Sequence, residues 1–519
     1  MAKEAKDQEA RESRSAAVVA AAILISKLAG LLRQRVTAHF FGTSAIADVI
    51  AAAFRIGNLA QNLLGEGTLS ASFIPIYAKL RQEGRDDEAD AFARDALGLL
   101  GALVIVVSAI GVALAPWLAI AVAGGFAPDK LAMTTRLVRL LFPMTGVLVL
   151  CAWALGVLNA HRQFFAPYVA PVIWSAGQIA ALLVGGSWLL QSGETLARTL
   201  AYGAIVGAVL ELGVLLLRAR RHLRRLLPSF DRHNPHVREA ASRLPGVLLG
   251  RGVIQISGLV DTLLVSFLGT GANATFAYAQ MLYLLPMSLL GTGEAAVSLP
   301  EMARDTAIAS RDERNARMRR RLAVTTTRVL VFAVPAMVVL MLFGDALINV
   351  LLRTGRFDAE STQRVAAAVR IYAFALVANA SVRLYATTFF AIGDTRIPAR
   401  FAVVRVIVST LLALALLKPF GVLGVVGGAV IAGWVEAVAL GIVLRRQLDG
   451  LGLDEVPWPK LGGLALITAA IPLLLESLLP PRVAQTFLGS FGLLGATGLV
   501  FLGAAVGLGL LNLRRFLRR

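Results

Sequence analysis

The chain has 519 residues, of which 57% are hydrophobic and 16% charged, with a formal net charge of +19. Soluble domains carry roughly 25% charged and 45–50% apolar residues, so a soluble enzyme is excluded, and apolar runs recurring along nearly the whole length describe a polytopic helical membrane protein. The positive charge sits in short segments between those runs, which is the pattern of Lys/Arg retained in cytoplasmic loops and attracted to anionic lipid rather than of a nucleic-acid face.

Residues 1–15 (MAKEAKDQEARESRS) mix both charge signs and lack the apolar region and cleavage site of a signal peptide, so they read as a cytosolic tail. Apolar periodicity and loop punctuation then predict helices near 16–40, 44–78, 90–122, 132–159, 164–190 and 197–219. A second group follows near 237–268, 272–303, 322–352, 361–392, 398–417 and 421–447, and a final pair near 459–480 and 487–513. The predicted fold is all-α with about fourteen transmembrane helices. Arginine-rich loops around 81–85, 218–232, 311–321 and 445–446 fall on one side, which is therefore cytoplasmic, whereas 41–47 and 269–273 hold no Lys or Arg. An even helix count with Arg514, Arg515, Arg518 and Arg519 at the end places both termini inside.

The chain repeats itself. Phe41-Gly42-Thr43 is echoed by Leu268-Gly269-Thr270, Leu63 to Gly67 by Leu289 to Gly293, Pro75 and Lys79 by Pro300 and Arg304, and Ala160 and Pro167 by Ala391 and Pro398. The offset stays between 225 and 231 residues, so two copies of about 228 residues stand in tandem. Six helices per copy make the copies parallel, with a central cleft between two lobes that opens alternately to each side. The expected organisation is an N-lobe at 16–219, a basic linker at 220–236, a C-lobe at 237–447 and a C-terminal helix pair at 459–513. The linker is read either as a mechanical connection or as a solvated loop.

The first span reads AAVVAAAILISKLAGLLRQRVTAHF, and a rise of 1.5 Å per residue from Ala16 puts Lys27 about 16 Å and Arg33 about 26 Å deep. A central Lys or Arg costs about 2.5–3.5 kcal/mol on insertion scales, so these two either line a hydrated cavity or pack beside a carboxylate. The second span offers Asp48, Arg55, Asn58, Gln61 and Glu66, interrupted by Gly57, Gly65 and Gly67, a pattern that permits a bend. Glu66 reads as a salt-bridge partner of Lys27 or a hinge anchor, and Asp48 as closing an outer gate through a cation or capping its helix. Arg251 and Asp261 share a face of the seventh span about 15 Å apart, so Arg251 is open to an anionic ligand or lies at the inner interface. Arg370, Arg383, Arg405 and Glu436 also interrupt apolar runs. Cationic groups in a low-dielectric site favour phosphate, and the same groups can instead neutralise internal acids.

One cysteine, Cys151, lies within an apolar run and is read as core, and the five histidines lack metal-ligand spacing, so neither a metal nor a cofactor is expected.

The stretch Ser26 to Arg33 (SKLAGLLR), followed by FFGTSAIADVIAAAFRIGNLAQNLLGEGTLSASFIPIYAK at 40–79, resembles the N-terminal signature of the MurJ/MviN lipid II flippases of the multidrug/oligosaccharidyl-lipid/polysaccharide exporter superfamily. QISGLVDTLLVSFLGTG at 255–271 and the Pro286 to Pro300 segment extend the likeness into the second lobe. The resemblance implies two six-helix lobes, two extra helices forming a groove for a lipid tail, and a bacterial inner-membrane location. It implies a cargo, lipid II, in which undecaprenyl pyrophosphate carries a disaccharide-pentapeptide. Transport makes or breaks no bond, so no enzyme activity is expected, and the implied partners are lipid II, membrane lipids and cell-wall synthesis proteins.

Carried over by position, Lys27 stands where the family commonly has arginine, while Arg33, Asp48, Asn58, Glu66 and Gly67 match directly. The expected substrate contacts are Lys27, Arg33, Asp48, Arg55, Asn58 and Arg251, with Gly65, Glu66, Gly67 and Asp261 as gate or hinge. Gln61 and Met281 stand where arginines are expected and Gln34 where an aspartate is frequent, so Arg55 and Arg251 are read as compensating charges. The eleventh span offers only Ser409 and Thr410 as ion ligands, which favours coupling to membrane potential over a sodium site. The alternatives are a flippase for another polyprenyl-linked glycan and a transport-inactive scaffold of the same fold.

Overall fold

The computed structural model describes residues 2–65, 69, 72–163, 165–223, 227–287, 310–480, 483 and 486–511, with side chains undescribed at 2–20, 246–251, 253–254 and 311. Its named elements are all helical, with one isolated bridge, Thr354 to Phe357. The polytopic all-α class expected from the sequence is thereby observed. Contacts divide the chain into two compact units, the first running to Gly271 and the second starting at Ala272.

The first unit begins with α1 (Ala2–Phe41) and α2 (Ala45–Leu64). Between them Gly42 takes a φ of +55°, and Ser44 caps α2 by accepting from the Ala47 N–H at 3.4 Å. The predicted 44–78 span is broken: α2 ends at Gly65 and α3 (Ile74–Gln82) resumes the chain. α4 (Asp86–Ala113) and α5 (Ala115–Ala123) divide the predicted 90–122 span at Leu114, where Pro116 occupies the first turn of α5, a position that needs no backbone donor.

α6 (Pro128–Ala160) is the core helix of this unit. Its apolar residues cover every face, and 72% of its most apolar window is buried, against 17% for α4, as expected of a helix hydrophobic all round. α7 (Phe165–Val169) and α8 (Pro171–Leu182) follow, the latter running into a π-turn at Leu183–Trp188. α9 (Gly193–Ala219) crosses α8 through Gly177, Gly203 and Gly207, where a Cβ on Gly177 would lie 2.7 Å from the Gly203 carbonyl oxygen. Small residues allow that approach where apolar lipid supplies no hydrophobic drive.

The linker after α9 docks onto α4. Arg94 Nε donates to the Leu227 carbonyl at 3.0 Å, and Asp95 accepts from the Asp231 N–H at 3.3 Å and from Asn234 Nδ2 at 2.9 Å. Asn234 then caps α10 (Pro235–Ser266) by accepting from the His236 N–H at 3.0 Å. Within this unit α10 packs on α2, α4 and α5, whereas the sequence repeat predicts it as the first helix of the second copy.

The second unit starts with α11 (272–287). It continues with α12 (Arg311–Leu342), α13 (Gly344–Leu351), α14 (Ala359–Ala373), α15 (Ala375–Ile392), α16 (Arg396–Phe420), α17 (Val422–Leu448), α18 (Trp458–Leu478) and α19 (Phe487–Gly507). Phe343 and Phe374 interrupt the predicted 322–352 and 361–392 spans. Met318 and Leu322 of α12 meet Leu384 and Phe389 of α15 and Leu440 and Leu444 of α17 in one buried cluster. A second cluster joins α12 to α18 and α19 through Leu330, Leu464 and Ala505. The turn after α17 needs left-handed backbone at Asp449, Gly450 and Gly452, and Arg319 holds it by donating to the Leu448 carbonyl at 2.8 Å.

Among the described residues ten helices are long and apolar enough to cross a membrane. The other four expected spans correspond to α1, α2, α10 and α11, three of which carry the charged site candidates.

Candidate functional site

Arg33 lies on α1 against α8. Its guanidinium sits 4.8 Å from the centroid of the Trp174 ring, and Nη1 donates to Gln178 Oε1 at 3.1 Å. Gln178 is 1% exposed, and its Nε2 donates to the Trp174 carbonyl at 3.4 Å, so the amide is oriented before it meets the arginine. Arg33 Nε is buried without a hydrogen-bond partner. A π-face and a neutral amide hold the fork in place without cancelling its charge. The alternative that Arg33 packs beside a carboxylate has no support in these contacts. Lys27, six residues earlier on the same helix, is half-buried and points about 120° away in azimuth from Arg33, so the two cations share a helix but not a face.

Asp48 is fully buried, and its Oδ2 accepts from Lys130 Nζ at 2.6 Å and from the Gly271 N–H at 2.8 Å. Lys130 also stands 3.8 Å above the Phe126 ring. The carboxylate thus ties the start of α2 to the start of α6 and to the turn after α10, where Gly271 adopts a φ of +87°. Ser44 supplies the helix cap, so the capping reading of Asp48 gives way to a buried ion pair.

Arg55 is half-buried on α2 and packs onto α10 at Gly258, where a Cβ would overlap the guanidinium. The absence of a side chain makes the space for this cation. Asp261, one turn further along α10, is 7% exposed. Asn58 lies on the exposed side of α2. Gly65 is buried at the helix end, with its N–H donating to the Gln61 carbonyl at 2.7 Å. Glu66 and Gly67 lie outside the described residues, as does the side chain of Arg251 on α10.

The structure therefore brings Arg55 to the Gly258 face of α10 and Asp48 to Lys130, while Arg33 packs separately against α8. Sequence reasoning missed Lys130, Trp174, Gln178 and Gly258. A signal existed for Gln178, a lone amide in the apolar run WSAGQIAAL, and for Lys130, a cation at a helix start where an anion is the usual choice.

A second cluster joins α3 to the residues that follow α6 and α9. The Tyr77 hydroxyl lies 3.0 Å from His161 Nε2, and the His161 ring stacks on His222 with centroids 4.3 Å apart. Desolvation, then His222 and Arg81, push the His161 imidazole down to about 4, and desolvation lowers His222 as well. Both rings are neutral near pH 7, so the imidazole tautomer sets which of Tyr77 and His161 Nε2 donates.

The family model described as lipid II flippase MurJ matches residues 37–493. A probable lipid II flippase MurJ from Rhizobium tropici is 31% identical over 433 residues, spanning 83% of this chain and 80% of its own. The lipid II flippase MurJ of Burkholderia cenocepacia is 29% identical over 468 residues, covering 88% and 89%. Among solved structures, a lipid II flippase MurJ in an inward closed conformation superposes with a TM-score of 0.76 at 19% identity, over 96% of this chain and 99% of that one. An inward-facing MATE family transporter of the MOP superfamily gives 0.66 at 17% identity, over 85% and 99%. At such identities these two likenesses concern the fold. With the family model matching most of its length, the chain belongs to the lipid II flippase MurJ family.

Proposed function

We propose that this multi-pass membrane protein carries lipid II, an undecaprenyl pyrophosphate bearing a disaccharide-pentapeptide, from the inner to the outer leaflet by alternating access. Arg33 carries the reading. A guanidinium deep in an apolar span, held by Trp174 and Gln178 and retaining its charge, is suited to a pyrophosphate group. Lys27 and Arg55 add positive charge on α1 and α2, with Arg251 as a further cation and Asn58 as a neutral donor, while Gly65, Glu66, Gly67 and Asp261 act at a hinge. The Asp48–Lys130 pair, with the Gly271 N–H, serves as an outer latch that opens when the carrier faces outward.

No bond is made or broken in this cycle, so the protein acts as a carrier and needs no cofactor. It works in the bacterial inner membrane with both termini in the cytoplasm, as the Arg-rich loops require. Membrane potential drives the return step, and cell-wall synthesis proteins receive the cargo. Gln61 and Met281, in place of cations, favour one second reading, a flippase for another polyprenyl-linked glycan. Proteoliposomes holding the purified chain and labelled lipid II decide between them: lipid II accessible to an external enzyme supports the first reading. Movement confined to a different polyprenyl-pyrophosphate glycan supports the second.

A further inference from the structure

The second unit contains a polar recess that the carrier reading does not use. Arg383 lies in α15, about 14 Å of helix from its end at Ile392, and Arg405 lies equally far from the start of α16. A three-residue turn joins these helices, so the two guanidinium groups sit at the same depth. Arg405 Nη1 donates to Glu436 Oε2 of α17 at 3.1 Å, and Glu436 is 5% exposed. Arg383 has neither an ion pair nor a side-chain hydrogen bond among the described residues. It is exposed, and on its helix face Leu376 and Thr387 are buried while Phe390 is exposed. Among the described residues one carboxylate stands against two guanidinium groups, a surplus of positive charge.

Neutral groups complete it. Asn379 is one turn before Arg383, and its Nδ2 donates to the Tyr283 hydroxyl of α11. Tyr283 is fixed by stacking on Tyr372 at 5.0 Å, and both Arg405 and Arg383 lie close enough to act electrostatically on its hydroxyl. With that oxygen accepting from Asn379, its proton is free to donate. Asn379 Oδ1 is buried without a partner among the described residues, and opposite it stands Gly433, on which a Cβ would lie in ordinary contact at 3.5 Å. The set is therefore a cation, a hydroxyl donor and an unfilled carbonyl acceptor. The fully ionised diester pyrophosphate of the cargo offers acceptors only and would leave the Asn379 oxygen unpaired. A peptide carboxylate with its adjoining amide N–H satisfies all three.

We infer that this recess is a second subsite, which binds a carboxylate of the cargo's peptide stem together with its neighbouring N–H. The inference rests on the proposed lipid II cargo and assigns its peptide, separately from its pyrophosphate, to the second unit. The full chain in zwitterionic nanodiscs is titrated with soluble N-acetylmuramoyl-pentapeptide, with undecaprenyl pyrophosphate and with inorganic phosphate. Arg383→Ala is expected to weaken the muramoyl peptide about tenfold and to leave undecaprenyl pyrophosphate unchanged, with Arg383→Lys intermediate. Arg33→Ala shows the reverse pattern. The subsite is overturned if the wild type does not bind the muramoyl peptide, if Arg383→Ala binds it equally well, or if inorganic phosphate displaces it at equal concentration. Failure of undecaprenyl pyrophosphate to bind the wild type counts against the flippase reading alone, because the peptide titration still decides the recess. Among the described residues Arg383 makes no side-chain hydrogen bond, so its removal is expected to leave the melting temperature of the nanodisc sample unchanged.

Discussion

The carboxylate of Asp48 and the ammonium group of Lys130, 82 residues apart in the chain, meet at 2.6 Å across two helices, with the aspartate wholly shielded and the lysine 15% exposed at its side chain. Removing one member of a buried pair leaves the other uncompensated, at a cost of about 3–5 kcal/mol. Lys130→Met is therefore expected to lower the thermal midpoint of the solubilised protein sharply. The double variant Asp48→Asn with Lys130→Met recovers part of the loss. Additive losses in the double-mutant cycle would show that the pair contributes no coupling.

Gly258 makes room for Arg55, and the atoms in conflict with an added Cβ are the far end of a flexible side chain. Gly258→Ala gains about 1 kcal/mol of helix propensity while displacing that guanidinium. The expected result is a folded protein with lipid II transport reduced as far as in Arg55→Ala. Normal transport in Gly258→Ala vesicles would show that the position of Arg55 does not matter.

For Arg33, charge and shape can be separated. Arg33→Lys keeps the charge and loses both the planar stack on Trp174 and the fork that reaches Gln178. Cargo affinity is expected to fall about tenfold for lysine and further for Arg33→Ala. Gln178→Leu, which leaves Arg33 Nη1 without its acceptor, is expected to resemble the lysine variant. Titration of undecaprenyl pyrophosphate onto the three proteins checks the order.

His161 makes stability depend on pH. Its folded-state value of about 4 lies below the ordinary histidine range, with desolvation the largest cause, so the native state binds fewer protons than the unfolded chain. The stabilisation is complete above about pH 6.5, is lost progressively as pH falls toward about 4, and then levels off. Protonation also places two like charges in the His161–His222 stack and fixes His161 Nε2 as a donor to Tyr77. Melting curves between pH 7.5 and pH 4.5 are expected to fall less steeply for His161→Gln than for the wild type. Parallel curves would remove His161 as the cause.

The amino-acid sequence alone determined the helical class and where the described helices occur, and it predicted a tandem repeat and the depth of Lys27 and Arg33, because hydropathy, helix rise and chain length are local properties. It also supplied the motif over 26–79 that pointed to the family. Some helix breaks were misread: Gly65, Leu114, Phe343 and Phe374 interrupt predicted continuous spans, because a break inside an apolar run costs little hydropathy and leaves almost no local mark. Only the tertiary structure decided what each charge meets. Gln178 reaches Arg33 from 145 positions away, and Gly271 reaches Asp48 from 223. Gly258 admits Arg55 solely because α10 crosses α2 at that point. Such partners depend on helix azimuth and crossing point, which are set by packing among distant elements and are not written in the periodicity of any one of them.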